Sequence, residues 1–84
     1  MNTTEEDRME SALATQIKVE LAERDMSQGD LAEAVGVGRP AMNRYLKGHQ
    51  SMPMPTFYRV ARALGISPAE LMTRTADRAS REGK

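Results

Sequence analysis

The chain has no cysteine, no tryptophan, one histidine and three aromatic side chains in 84 residues. Without thiols there is no disulfide, no zinc finger and no thiol nucleophile. One imidazole, no phosphate-cradling glycine loop and no metal-ligand cluster leave almost nothing from which to build a catalytic centre. Ser27, His49 and Asp30 make a triad on paper, but Ser27 and Asp30 fit helix-capping roles better. No apolar run approaches the roughly 20 residues that span a bilayer. The acidic opening MNTTEEDRME also lacks the basic-then-apolar order of a signal peptide. The expectation is a non-enzymatic cytoplasmic protein that needs no cofactor, no metal and no membrane. Its length is that of one small domain, which buries only roughly 60 % of its unfolded surface.

Acid is also missing locally. Between Gly36 and Ala69 there is no Asp or Glu, although the formal net charge of the chain is zero. Through Val35 nine acids stand against three bases, and from Gly36 onward nine bases stand against three acids. The two parts therefore carry −6 and +6. A charge run by itself is as readily a solvated face. Here the basic block coincides with a helical motif, and such asymmetry points to a polyanion-binding surface.

The motif is QGDLAEAVGVGRPAMNRYLKG, Gln28 to Gly48. It reads as two short helices, 28–35 and 39–46, joined by a tight turn at Gly36, where the chain often needs φ > 0. Leu31, Ala32, Val35, Val37, Met42 and Tyr45 fall where the pair must pack, and Ala32 is small where the helices cross. Ser27 and Asp30 form a capping box for the first helix. Pro40 is tolerated in the first turn of the second, and Gly48 ends it. Such a helix-turn-helix places its second helix in the DNA major groove.

Three more helices complete the pattern. The first, at 5–24, has Thr3 or Thr4 as its cap and a stripe of Met9, Leu13, Ile17 and Leu21 with Ala14 and the Lys18 stem alongside. Its N-terminal part, Glu5 to Ala12, either frays or packs on a partner chain. A helix at 55–64 opens at Pro55 and turns Phe57, Val60, Ala61 and Leu64 inward; one at 68–74 starts at Ser67 and Pro68 and buries Leu71 and Met72. The methionines read as gap-filling core. Residues 76–84 lack large apolar side chains and read as a polar, flexible tail after a domain at 1–75. The expected fold is all-α, a compact five-helix bundle.

The segments MSQGDLAEAVGVGRPAMNRYLKG and FYRVARALGISPAELM resemble the Cro/CI-type, lambda repressor-like helix-turn-helix family of phage and bacterial regulators. The resemblance covers about two-thirds of the chain and implies double-stranded DNA, an operator, as partner. It implies that Gln28 clamps a phosphate at the positive end of its helix. Arg39 and Arg44 match base-reading positions, and each guanidinium fork can pair with O6 and N7 of guanine. Asn43 can pair with adenine or bind phosphate. Pro40 departs from the polar residue usual in the family, leaving at most a thymine methyl contact at that position. Lys47, His49, Gln50, Ser51 and Thr56 match the loop and helix start that meet the DNA backbone. Arg59 and Arg62 read equally as phosphate contacts or as solubilising residues.

The leading expectation is a sequence-specific transcriptional regulator, a repressor of the phage immunity or Cro-like kind, acting in a bacterial nucleoid or an infected host cell. The alternative is an antitoxin-type module that binds a toxin and its own operator. The family implies a homodimer on palindromic sites. Neither the last helix nor the first keeps a spare apolar stripe, so pairing only on DNA and a monomer on one half-site are both open.

Overall fold

The computed structural model describes residues 3–82, with the side chains from Glu5 onward. Five helices follow one another: α1 Thr3–Glu23, α2 Gln28–Val35, α3 Arg39–Leu46, α4 Met54–Leu64 and α5 Pro68–Glu82. Among the described residues there is no strand and no helix long and apolar enough to cross a membrane. One cluster forms the core: Ile17 and Leu21 from α1, Leu31, Ala32 and Val35 from α2, Met42 and Leu46 from α3. Phe57, Val60, Ala61 and Leu64 of α4 and Leu71 of α5 close it. The expected capping at Thr3 or Thr4 lies outside the described side chains.

The helix ends show why the chain turns where it does. Gly36, Gly48 and Gly65 take left-handed φ values of 83°, 75° and 77°. After α1 the same job falls to Asp25 at φ 54°. Its amide bonds to the Ala22 carbonyl at 3.3 Å, and the Met26 amide bonds to the Leu21 carbonyl at 3.0 Å. This is the left-handed helix stop normally given to glycine. Because a Cβ is unfavourable there, Asp25→Gly should raise stability by about 0.5–1 kcal/mol. Thermal denaturation would show a midpoint a few degrees higher.

The structure corrects several expectations. α5 does not stop near residue 74 but continues to Glu82, so the segment from 76 to 82 is helix and not a flexible tail. The reason is its small residues: Thr75 and Ala79 are buried on the face that packs along α1. Large apolar groups were not needed for that contact. In the N-terminal turns of α1, residues 5–8 are exposed and Met9 is half-buried; Glu5, Arg8 and Met9 line a surface groove shared with Ala76, Ala79 and Ser80 of α5. Lys18 is exposed and lends no stem to the core; the buried companions of the α1 stripe are Ala12, Ala14, Gln16 and Glu20. Met72 faces solvent at 39 % exposure and Met54 at 60 %, so these methionines are not core. α4 begins one residue before Pro55, at Met54.

A buried carboxylate ties the bundle together. Glu20 is 1 % exposed and accepts from Arg24 at 2.7 Å and from Arg74 of α5 at 2.8 Å. Gln16 donates to Glu20 at 2.8 Å and accepts from Arg78 Nε at 2.9 Å. Arg24 Nε also reaches the Leu64 carbonyl at the end of α4, 2.9 Å away. Arg74 and Arg78 are thus engaged inside the fold, so they do not belong to a free basic face.

Candidate nucleic-acid interface

α2 starts at a complete capping box. The Asp30 amide donates to the Ser27 hydroxyl at 2.9 Å, and the Ser27 amide donates to the Asp30 carboxylate at 3.0 Å. The Ser27 backbone and hydroxyl bonds, with the Arg39 charge nearby, hold the Asp30 pKa below its usual value. Leu31, Ala32 and Val35 then bury one face, leaving Gln28 exposed in the first turn. At Gly36 the chain reverses, and the Val37 amide bonds back to the Ala32 carbonyl at 3.1 Å.

α3 is seated by three residues. Met42 and Leu46 are buried and Tyr45 is half-buried against the core. At about 100° per residue, Pro40, Arg44 and Lys47 fall on the opposite side of the helix from Met42, and Asn43 falls on the flank between them and the core. All four are exposed, as is Arg39. Arg39 leans toward α2: a Cβ on Gly29 would come within 2.8–3.0 Å of the Arg39 guanidinium. Gln28, Gly29, Arg39, Pro40 and Asn43 consequently line one shallow depression between α2 and α3. The sequence-predicted phosphate clamp Gln28 and three of the predicted base readers, Arg39, Pro40 and Asn43, are therefore neighbours beside a glycine with no side chain to block them, whereas Arg44 does not line this depression.

The segment after α3 is turned by Gly48. Its amide bonds to the Tyr45 carbonyl at 3.1 Å, and the His49 amide to the Arg44 carbonyl at 3.0 Å. His49, Gln50 and Ser51 are exposed beside the helix. Two of them are already engaged. Gln50 accepts a 2.8 Å hydrogen bond from Arg44 Nε, and the Ser51 hydroxyl donates to the Glu10 carboxylate of α1. Ser51 therefore does not stand free for a phosphate. Thr56 is buried at 4 % exposure, so its hydroxyl is a poor candidate for a phosphate contact and its backbone amide is the group left. No side chain caps α4 among the described residues. Its positive end, where Pro55 lacks an N–H, is open to an anion.

Sequence reasoning missed the Glu20 network, the Arg44–Gln50 bond and the Glu10–Ser51 bond. The i, i+4 spacing of Gln16, Glu20 and Arg24 was visible, but not that α5 would bury it. Gln50 lies six residues beyond Arg44 across a left-handed turn, a separation that no helical periodicity reveals. Arg59 and Arg62, with Tyr58, Ile66 and Pro68, line a separate groove at the α4–α5 corner.

A capped helix, a glycine turn and a second helix showing its basic face to solvent define a helix-turn-helix protein. The comparisons agree. The family described as Cro/C1-type HTH DNA-binding domain matches residues 16–77. The chain belongs to this family. It is 37 % identical over 51 residues to the cryptic phage CTXphi transcriptional repressor RstR of Vibrio cholerae, a match covering 61 % of this chain. The chain spans about half the length of that relative, with 46 % of it covered. The fold is similar to two crystal structures of the clp gene regulator ClgR from Corynebacterium glutamicum. One has TM-score 0.84 at 21 % identity, covering 89 % of this chain and 80 % of that one. The other has TM-score 0.75 at 23 % identity, covering 82 % and 90 %.

Proposed function

We propose that this protein is a sequence-specific double-stranded DNA-binding transcriptional regulator, a repressor that acts by occupying its operator. The observation that carries the reading is the exposed face of α3. It presents Arg39, Asn43 and Arg44 from an acid-free stretch while Met42, Tyr45 and Leu46 fix the helix from behind. Arg39 and Arg44 supply forks for guanine edges, and Asn43 a paired donor and acceptor for adenine. Pro40 offers only an apolar surface. Gln28, Lys47, His49 and the α4 amides hold phosphates on either side. Two copies pairing on DNA would read half-sites about 34 Å apart.

Titration of duplex DNA across salt tests this reading. Affinity should fall on a log–log plot with a slope of about −0.9 per phosphate neutralised, and a salt-insensitive interaction would contradict it. The two phosphate contacts also separate by charge. Lys47→Ala should weaken preferred and random duplexes alike and reduce the salt slope by about 1. Gln28→Ala should weaken both duplexes equally but leave the slope unchanged, because an amide displaces no counterion.

A further inference from the structure

We infer that Gln50 is the positioning residue that aims Arg44, and that α1 holds Gln50 in place through Glu10 and Ser51. The inference rests on the DNA-reading proposal and assigns Gln50 a different part from the phosphate contact that its sequence position implies. Arg44 Nε donates to Gln50 Oε1 at 2.8 Å. A guanidinium offers two hydrogen-bonding edges, one using Nε and one using its two terminal nitrogens. Gln50 occupies Nε, so the end-on fork is the edge left for O6 and N7 of a guanine. Gln50 is also neutral. It fixes the plane of the guanidinium without cancelling its charge, as a carboxylate in the same place would.

An aiming residue must itself be fixed. The left-handed turn at Gly48 closes onto α3 through the Tyr45 and Arg44 carbonyls, which anchors one side of Gln50. Gly48 lies against the Ser11 backbone of α1; a Cβ built on it would sit 3.8 Å from the Ser11 Cα. On the other side, Ser51 is bonded to Glu10. The loop is thus pinned to α1 on both flanks of Gln50. This also gives the Glu10 carboxylate a reason to stand where DNA phosphates would approach, a position otherwise unfavourable for an acid.

The test begins with duplexes selected by the intact chain from a random-sequence pool, followed by affinities for the selected duplex and each single-base substitution. Gln50→Ala should reduce discrimination roughly tenfold at one base pair, the same pair that loses discrimination in Arg44→Ala. Binding to scrambled duplex and the salt slope should stay within about twofold of the parent. In an Arg44→Ala background, Gln50→Ala should remove no further discrimination. Gln50→Glu keeps an acceptor oxygen, so it should preserve discrimination while lowering affinity for every duplex through its added charge. Glu10→Ala should produce a smaller loss at the same base pair. Equal weakening of selected and scrambled duplexes by Gln50→Ala would make Gln50 a phosphate contact and overturn the inference, as would undiminished discrimination. A parent chain that selects no sequence from the pool would instead overturn the DNA-reading proposal itself.

Discussion

Alanine at both Arg39 and Arg44 is expected to give a protein that folds as the parent does but binds its preferred duplex no better than random DNA. Both side chains are exposed on α3, so neither substitution opens a cavity or strands a buried group. Surface changes of this kind usually shift stability by no more than about 0.5 kcal/mol. A bidentate arginine–guanine pair contributes about 1–3 kcal/mol of discrimination, so each single variant should lose roughly 5- to 150-fold on the preferred site. Non-specific binding should survive in part through Lys47 and the phosphate contacts of α2 and α4. Arg44→Lys would keep the charge and lose the fork, so it should hold the salt slope but not the base preference. Fluorescence anisotropy with preferred and scrambled duplexes measures both. Retained preference in the double variant would place the reading surface elsewhere.

The second large effect is on stability. Arg24→Ala combined with Arg74→Ala leaves Glu20, 1 % exposed, with Gln16 as its remaining side-chain donor. Stranding a buried charge costs about 3–5 kcal/mol, a large share of the roughly 5–15 kcal/mol that holds a domain folded. Chemical denaturation should show it, and each single variant should lose less because the other arginine remains. The pH dependence carries a sharper signature. Burial alone would push the Glu20 pKa up, but hydrogen bonds from Arg74, Gln16 and Arg24 and the Arg74 charge bring it below 4.5. In the parent this contribution is complete above pH 4.5 and is lost as pH falls through the lowered value, with Asp30 acting in the same direction below 3.8. Without the arginines, burial governs and the Glu20 pKa rises. The double variant should therefore gain stability on mild acidification from neutral pH, a range over which the parent's Glu20 contribution is unchanged. Parent-like stability and pH response would mean that the Glu20 pairing contributes nothing.

The parts of this fold that sequence made legible are those with local causes. The Ser27–Asp30 box, the stop at Gly36, the Pro40 opening and the inward face of α4 all follow from neighbours within one turn, and α2 and α3 fall at the expected residues. The exposed face of α3 followed from the same periodicity. What stayed hidden depends on contacts between distant segments. Ala79 read as tail, and Thr75 as the last residue before it, because small side chains carry no apolar signal, although close helix packing favours them. Glu20 is one of nine acids in the first part of the chain, and nothing local marks it as buried, because its partner Arg74 lies 54 residues away. Arg74 and Arg78 inflated the apparent basic face for the same reason. At the site, Ser51 and Thr56 matched the family pattern, but one is bonded to Glu10 and the other is turned into the core.

The central claim is that α3 reads guanine edges in the major groove, and methylation interference tests it most directly. A methyl on guanine N7 blocks the acceptor that an arginine fork requires, while leaving the phosphate backbone intact. On the selected duplex, one or two guanines per half-site should abolish binding when methylated. Arg44→Ala should remove the interference at one of them and Arg39→Ala at another. Binding that tolerates N7 methylation throughout, or interference unchanged in both variants, would contradict the account.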